Sequence, residues 1–324
     1  MSDTLFLAGL IGEHLMVRTL RDLTEQLRYS EPDVVINALS FPETDAKTFQ
    51  TANELLQGRN FGSIGTNADA LVLVNTKDRL RDLWWRSDIR TPSSFSLGWN
   101  GDDSIAEMDW LESANSFPYT VKPGPGPDSD DPGFAAVVSS SAELREKAGA
   151  LLRRFDSVRI EQFLGNREDL RWFSVGSIGN KDRSIVMPAE IGLSGGITMN
   201  TVTERDISRH RVTIAPILDK KLRDEVERFA REAIEAPGVK DFARLDLLMS
   251  SAKLYAFDLK VQPEVPDLLF EACARLAGLD ANQCMTAIFV AGFARLFLEG
   301  FAHIPIPSRL RNMVPRSIFP ILYG

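Results

Sequence analysis

Four charged side chains alternate with apolar ones in two short stretches of this 324-residue chain. Arg244 and Asp246 lie in Phe242-Ala243-Arg244-Leu245-Asp246-Leu247-Leu248, and Asp258 and Lys260 in Tyr255-Ala256-Phe257-Asp258-Leu259-Lys260. That alternation is the period of a β-strand with two differently used faces. Ser250-Ser251-Ala252-Lys253 between them reads as a tight connection, so the strands are expected to pair as an antiparallel hairpin. All four charges then share one face. Two carboxylates among apolar neighbours require compensation, either from cationic side chains or from Mg²⁺. The same pattern also describes two solvated ion pairs on an exposed sheet face. Spacing alone leaves both open.

A scaffold must hold such a hairpin. The sequence predicts a helix over 17–28, a buried strand over 33–39, a helix over 45–57, a short strand or turn at 62–65 and a helix over 67–86. This alternation implies a small α/β unit over 1–92. A strand through Phe117–Pro123 then runs into Gly124-Pro125-Gly126-Pro127-Asp128-Ser129-Asp130-Asp131-Pro132-Gly133, which no helix or strand interior tolerates. A strand at 134–138, a helix at 141–154 and a strand at 158–163 complete a compact α+β unit over 93–165, able to close over a ligand. The remainder, 166–324, is expected to carry strands at 171–178 and 184–191 and a long loop at 192–215. A helix at 219–236, the hairpin and helices at 268–276 and 281–298 follow. The tail from His303 has four prolines and is expected to wrap the surface.

Composition narrows the partners. A net charge of −8 argues against a nucleic-acid surface, which needs a basic footprint, but leaves room for a nucleotide held by a few local cations. Cys273 and Cys284 read as buried small hydrophobes in a reducing compartment. No apolar run is expected to span a bilayer, and no basic region precedes an N-terminal apolar stretch, so the expected location is cytoplasmic. His14, His210 and His303 lie far apart and give zinc almost no support.

Further residues fall into one order along the chain: Lys77 at a helix start, Lys122 at a strand end before the Gly-rich loop, Glu161 at the end of a later strand, Glu168 seven residues on, and then the hairpin. This ordered set resembles the ATP-grasp superfamily, and within it the D-alanine–D-alanine ligase branch, over about residues 30–298. The resemblance implies a small α/β N-terminal domain, a central lid subdomain and a C-terminal catalytic subdomain. It implies ATP and Mg²⁺ as cofactors, small-molecule carboxylate and amine substrates, and a homodimer. By the same resemblance Lys77 and Lys122 reach the nucleotide phosphates, and Glu161 accepts from the adenine amino group. Gln162 and Leu164 offer backbone groups to the base, Glu168 binds the ribose hydroxyls, and Leu248 and Phe257 sandwich the adenine. Asp246 and Asp258 hold Mg²⁺, and Arg244 stabilises charge on an acyl-phosphate or tetrahedral intermediate. The implied chemistry is amide formation through an acyl-phosphate, with ADP and phosphate released.

The chain departs from the family in three places. Lys260 stands where the family has asparagine, and Asp258 where it has glutamate. A lysine cannot ligate Mg²⁺ as an ammonium, so one Mg²⁺ is expected, with Lys260 taking over part of a second ion's charge in catalysis. The phosphate loop carries Pro125, Pro127 and Pro132, which lack N–H groups, and three aspartates. Pro263-Glu264-Val265-Pro266-Asp267-Leu268-Leu269 lacks the Gly and Ser pattern that binds the second D-alanine. A ligase for other substrates is therefore expected, with a nucleotide-binding homologue that has lost ligase activity as the alternative.

Overall fold

The computed structural model describes residues 20–29, 34–36, 51, 54–56, 62–98, 117–124, 133–164, 169–194, 212–261, 267–300, 308–318 and 320–321. Helix α1 (Leu20–Tyr29) precedes strands β1 (Val34–Ile36) and β2 (Gly62–Ile64), which pair in parallel. Helices α2 (Ala68–Asn75) and α3 (Lys77–Arg86) follow. The single helix expected over 67–86 is thus two. Thr76 leaves helical geometry at ψ 81°, and its hydroxyl donates back to the Val72 carbonyl at 2.8 Å, closing the first helix.

A four-stranded sheet comes next, in the order β3-β6-β4-β5, from β3 (Ser94–Gly98), β4 (Tyr119–Pro123), β5 (Ala136–Val138) and β6 (Ser157–Gln162), with α4 (Ser141–Leu152) packed on one face. Tyr119, Val121, Val158 and Ile160 point into the core beneath α4. By alternation Lys122, Arg159 and Glu161 share the opposite face. Strand β3 was not foreseen. Its Ser-Phe-Ser-Leu-Gly run is short and has only two large apolar side chains.

The second sheet is antiparallel, in the order β11-β10-β7-β8-β9. It comprises β7 (Arg171–Asn180), β8 (Arg183–Leu193), β9 (Val212–Ala215), β10 (Phe242–Ser250) and β11 (Lys253–Val261), with α5 (Lys220–Glu235) between β9 and β10. Both ends of the loop expected at 192–215 are therefore strand, since Gly192 pairs with Thr213 and Leu193 with Val212; residues 195–211 lie outside the described set. Odd-numbered residues of β10, Ala243, Leu245 and Leu247, face α5 and Trp84 in one apolar core. The even-numbered ones face the other way.

Against that other face lie α6 (Leu268–Leu276) and α7 (Ala281–Leu298). Helix α7 is apolar around nearly its whole circumference because it is a central core element. It is long and apolar enough to cross a membrane by length and composition, contrary to the sequence expectation, yet most of it is buried inside the protein. A Cβ at Gly292 would lie 2.6 Å from Ile64, so this glycine lets α7 approach β2. Helix α8 (Ser308–Met313) and the residues after it bury Leu310, Val314 and Ile318 in the same core, so that part of the tail is anchored rather than wrapped over the surface.

A buried charge cluster fastens β2 to this assembly. Asp241, fully buried, accepts from the Gly65 amide (2.8 Å), Asn180 Nδ2 (2.9 Å) and Arg295 Nε (2.8 Å) and Nη2 (2.7 Å). Arg295 also donates to the Ser63 carbonyl at 2.5 Å and Glu299 at 2.6 Å.

The hairpin turn is Ser251-Ala252, with φ of 50° and 56°. Two left-handed residues between strands match the right-handed twist of the hairpin, but each Cβ is strained there. Ala252→Gly is expected to raise stability by about 0.5–1 kcal/mol, read as a higher urea midpoint at unchanged slope. A lower midpoint contradicts this account of the turn.

Candidate functional site

Register decides what the hairpin can do. Arg244 pairs directly with Lys260, and Asp246 with Asp258. Between Asp246 and Leu247 the register shifts by one, because Phe257 is an extra residue on β11. Such a bulge turns two consecutive side chains towards one side. Phe257 packs with Leu248 and Tyr255, while Asp258 stands opposite Asp246. The exposed-face alternative fails for half of the set: Arg244 is 4% and Asp246 6% exposed. Asp258 is half-buried, and Lys260 is exposed.

Asp246 accepts from Ser174 Oγ at 2.7 Å and from Arg244 Nη2 at 3.3 Å. Burial pushes its carboxyl above the usual range; Arg244 opposes this and Asp258 adds to it. Arg244 reaches on to Asp267 through Nη1. Asp267 is the N-cap of α6, accepting the amides of Leu269 and Phe270, each at 3.0 Å. The Arg244 Nε is buried without a hydrogen-bond partner. Two facing carboxylates, one buried and short of positive charge, suit a divalent cation that takes one or two protein oxygens and completes its shell from phosphate and water. Among the described residues no group of three or more His, Cys, Asp or Glu could hold a metal through protein ligands alone.

A second charged cluster lies on the polar face of the four-stranded sheet. Glu161, 6% exposed, pairs with Arg81 Nη1 at 2.7 Å and Lys122 Nζ at 3.3 Å, with Arg159 Nε at 3.9 Å. Burial pushes the Glu161 carboxyl up, but Arg81, Lys122 and Arg159 together hold it at about 2. Arg159 is balanced by Asp78, 3.1 Å from its Nη2, and Asp78 also accepts from Ser96 at 3.0 Å. Lys77 opens α3 and is half-buried; it is Arg81, one turn later, that meets Glu161. The cluster therefore sets three cations, Arg81, Lys122 and Arg159, against two acids, Glu161 and Asp78, a basin for an anion.

A third group is apolar. Leu164, Trp172 and Leu248 are buried together, with Phe257 and Tyr255 packed against them. Gln162 ends β6 and gives its amide to the Ser93 carbonyl at 2.8 Å. Trp172 Nε1 is buried here and finds no partner. Glu168 lies outside the described residues, as do 125–132 of the phosphate loop and 262–266 after the hairpin. The structure thus brings together Arg244, Asp246 and Asp258 on one face, Lys122 and Glu161 on another, and Leu164, Leu248 and Phe257 in a cluster.

Sequence reasoning missed Arg81, Arg159, Asp78, Trp172, Ser174 and Asp267. Three had local signals. Arg159 shares the strand face of Glu161 at a spacing of two, Arg81 follows Lys77 by one helical turn, and Asp267 precedes an apolar helical run as N-caps do. Ser174 had none, since only the strand pairing brings it to Asp246.

Comparisons with known proteins agree with one another. The family model described as D-ala D-ala ligase C-terminus matches residues 97–289. A D-alanine–D-alanine ligase of Aquifex aeolicus is 25% identical over 270 residues, covering 83% of this chain and 85% of that protein. The crystal structure of a D-alanine–D-alanine ligase from Bacillus anthracis complexed with ATP superposes with a TM-score of 0.61 at 16% identity, covering 88% of this chain and 84% of the other. A D-Ala:D-Ser ligase from Enterococcus faecalis gives 0.62 at 20%, covering 80% and 73%. Identities this low in the structures speak for the ATP-grasp fold alone.

Proposed function

The chain belongs to the D-ala D-ala ligase C-terminus family as a divergent member, and from that premise we propose that it is an ATP-dependent carboxylate–amine ligase, ADP-forming, whose substrates are not a pair of D-alanines. The observation that carries the proposal is the buried Asp246 in register with Asp258, beside Arg244. Bound ATP supplies the phosphoryl group that turns a carboxylate into an acyl-phosphate, and Mg²⁺ supplies positive charge at the phosphate oxygens.

The chain's own groups divide this work. Arg81 and Lys122, fixed by Glu161, present cations to the phosphates, with Lys77 one turn before Arg81. Glu161 has about four acceptor positions on its two oxygens, which leaves room for the amino group of a base. Gln162 has committed its amide to Ser93, so its carbonyl is the group left for the base. Leu164, Leu248 and Phe257 enclose the base, and an acceptor atom on it would satisfy Trp172 Nε1. The ribose falls to Glu168. Asp246 and Asp258 would hold one Mg²⁺. Arg244, anchored by Asp246 and Asp267, would stabilise oxygen charge developing at the acyl carbon. Lys260, across from Arg244, supplies charge where the family has a further neutral ligand.

The test is phosphate release with ATP, Mg²⁺ and a pool of amino acids and primary amines. ADP formation that depends on the pool is the expected result. A second reading is favoured by one observation, the lysine in place of a metal-ligating asparagine: a nucleotide-binding homologue without ligase chemistry. It predicts thermal stabilisation by ATP with no turnover across the pool.

A further inference from the structure

We infer that the acceptor is an amine carrying no carboxylate beside its reacting nitrogen, an inference that deepens the ligase reading and rests on it. A helix N-terminus beside an arginine is a ready receptor for a carboxylate, since backbone amides and guanidinium both donate to it. Next to the reacting centre this chain has such a place, formed by α6 and Arg244, and fills it with its own Asp267. One carboxylate oxygen of Asp267 takes the Leu269 and Phe270 amides at 3.0 Å, and the other takes Arg244 Nη1. Arg244 Nη2 is held by Asp246 at 3.3 Å, so Nε alone is unpartnered on a guanidinium that is almost wholly buried.

A guanidinium carries five N–H groups, but with both terminal nitrogens turned to internal acids and the whole group almost buried, Arg244 presents no open edge for the paired, two-pronged grip on a carboxylate. Among the described residues, an arriving acceptor carboxylate would also face three acids, Asp246, Asp258 and Asp267, against Arg244 and the exposed Lys260. Like charge at a site excludes a partner as effectively as good contacts select one. Nothing in the bond-forming step needs that group. The amine nitrogen bonds to the acyl carbon, the bond from that carbon to the phosphate oxygen breaks, phosphate leaves with the electron pair, and the nitrogen loses a proton to solvent.

The experiment has two arms on the full chain. In the first, ADP release with Mg²⁺, ATP and pooled amino acids lacking lysine is compared with the same mixture plus ethanolamine and putrescine. The expected result is a rate at least about tenfold higher with the carboxylate-free amines, together with the mass of the corresponding amide. Full turnover with amino acids alone overturns the inference. If neither mixture yields ADP the ligase reading falls, and the second arm judges the subsite by itself. There, thermal stabilisation by propionate is compared between wild type and Asp267→Asn, in which Asn preserves the helix cap. Propionate binding about tenfold tighter in the variant is expected, because the internal carboxylate no longer repels it. An equal response in both proteins overturns the proposal. Asp267→Ser, also a capping residue, repeats the comparison if the first variant does not fold.

Discussion

Asp246→Asn is expected to lower ADP formation by about a thousandfold, the scale on which loss of one charge-stabilising group acts in a closed site. The variant keeps the shape of the carboxylate. Its carbonyl still accepts from Ser174 Oγ, and Arg244 still has Asp267, so the melting temperature should move little. What disappears is the second negative charge opposite Asp258. A neutral amide beside a single carboxylate is a weak site for Mg²⁺, so raising the Mg²⁺ concentration should recover part of the lost rate. Turnover equal to wild type at ordinary Mg²⁺ would remove Asp246 from the metal site and with it the main support for the ligase assignment.

The second large effect concerns stability in acid. Glu161 is buried among Arg81, Lys122 and Arg159 and held at about 2, against an ordinary value of 4.5. The folded state therefore releases this proton more readily than the unfolded chain. The stability it contributes is complete above the unfolded value and is lost as pH falls from 4.5 towards 2. It amounts to about 3 kcal/mol. Glu161→Gln removes the contribution and leaves three neighbouring cations without their shared partner, a loss of about 3–5 kcal/mol at neutral pH. Urea unfolding at neutral and acid pH checks both statements. Wild type should lose its advantage over the variant as the solution is acidified through this window, and parallel acid profiles for the two proteins would show that Glu161 is not the coupled group.

The hairpin was legible because its two faces serve two different neighbours. Leu245 and Leu247 must meet α5, Arg244 and Asp246 must not, and a period of two records that division directly. Its bulge was not legible. Alternation is regular from Phe257 to Lys260 but the apolar pair Ala256-Phe257 names no bulge by itself, and only the pairing with β10 shows that Phe257 is extra. The cationic cluster was half legible. Lys122 and Glu161 stand out beside a Gly-rich loop and at a strand end, whereas Arg159 looks like one more charge until β4 and β6 are aligned. Thr76 shows a different limit. The polar run Asn75-Thr76-Lys77-Asp78-Arg79 can sit on the exposed side of one long helix, and the break comes from a hydroxyl competing for a backbone carbonyl. Asp267 carries a local cap signal, but its ion pair with Arg244 arises only where α6 meets β10, which no local pattern records.

The cluster around Asp241 has a consequence for how the chain comes together during synthesis. Ser63 and Gly65 receive their deepest polar contacts from Asp241 and Arg295, residues 176 and 232 positions further on. The parallel pair β1 and β2, with three residues in each strand, is far too small to stand unaided. An early segment of the polypeptide must therefore wait, unsecured, until α7 has emerged from the ribosome, and its stretch of exposed apolar surface is the interval in which a chaperone would have most to protect.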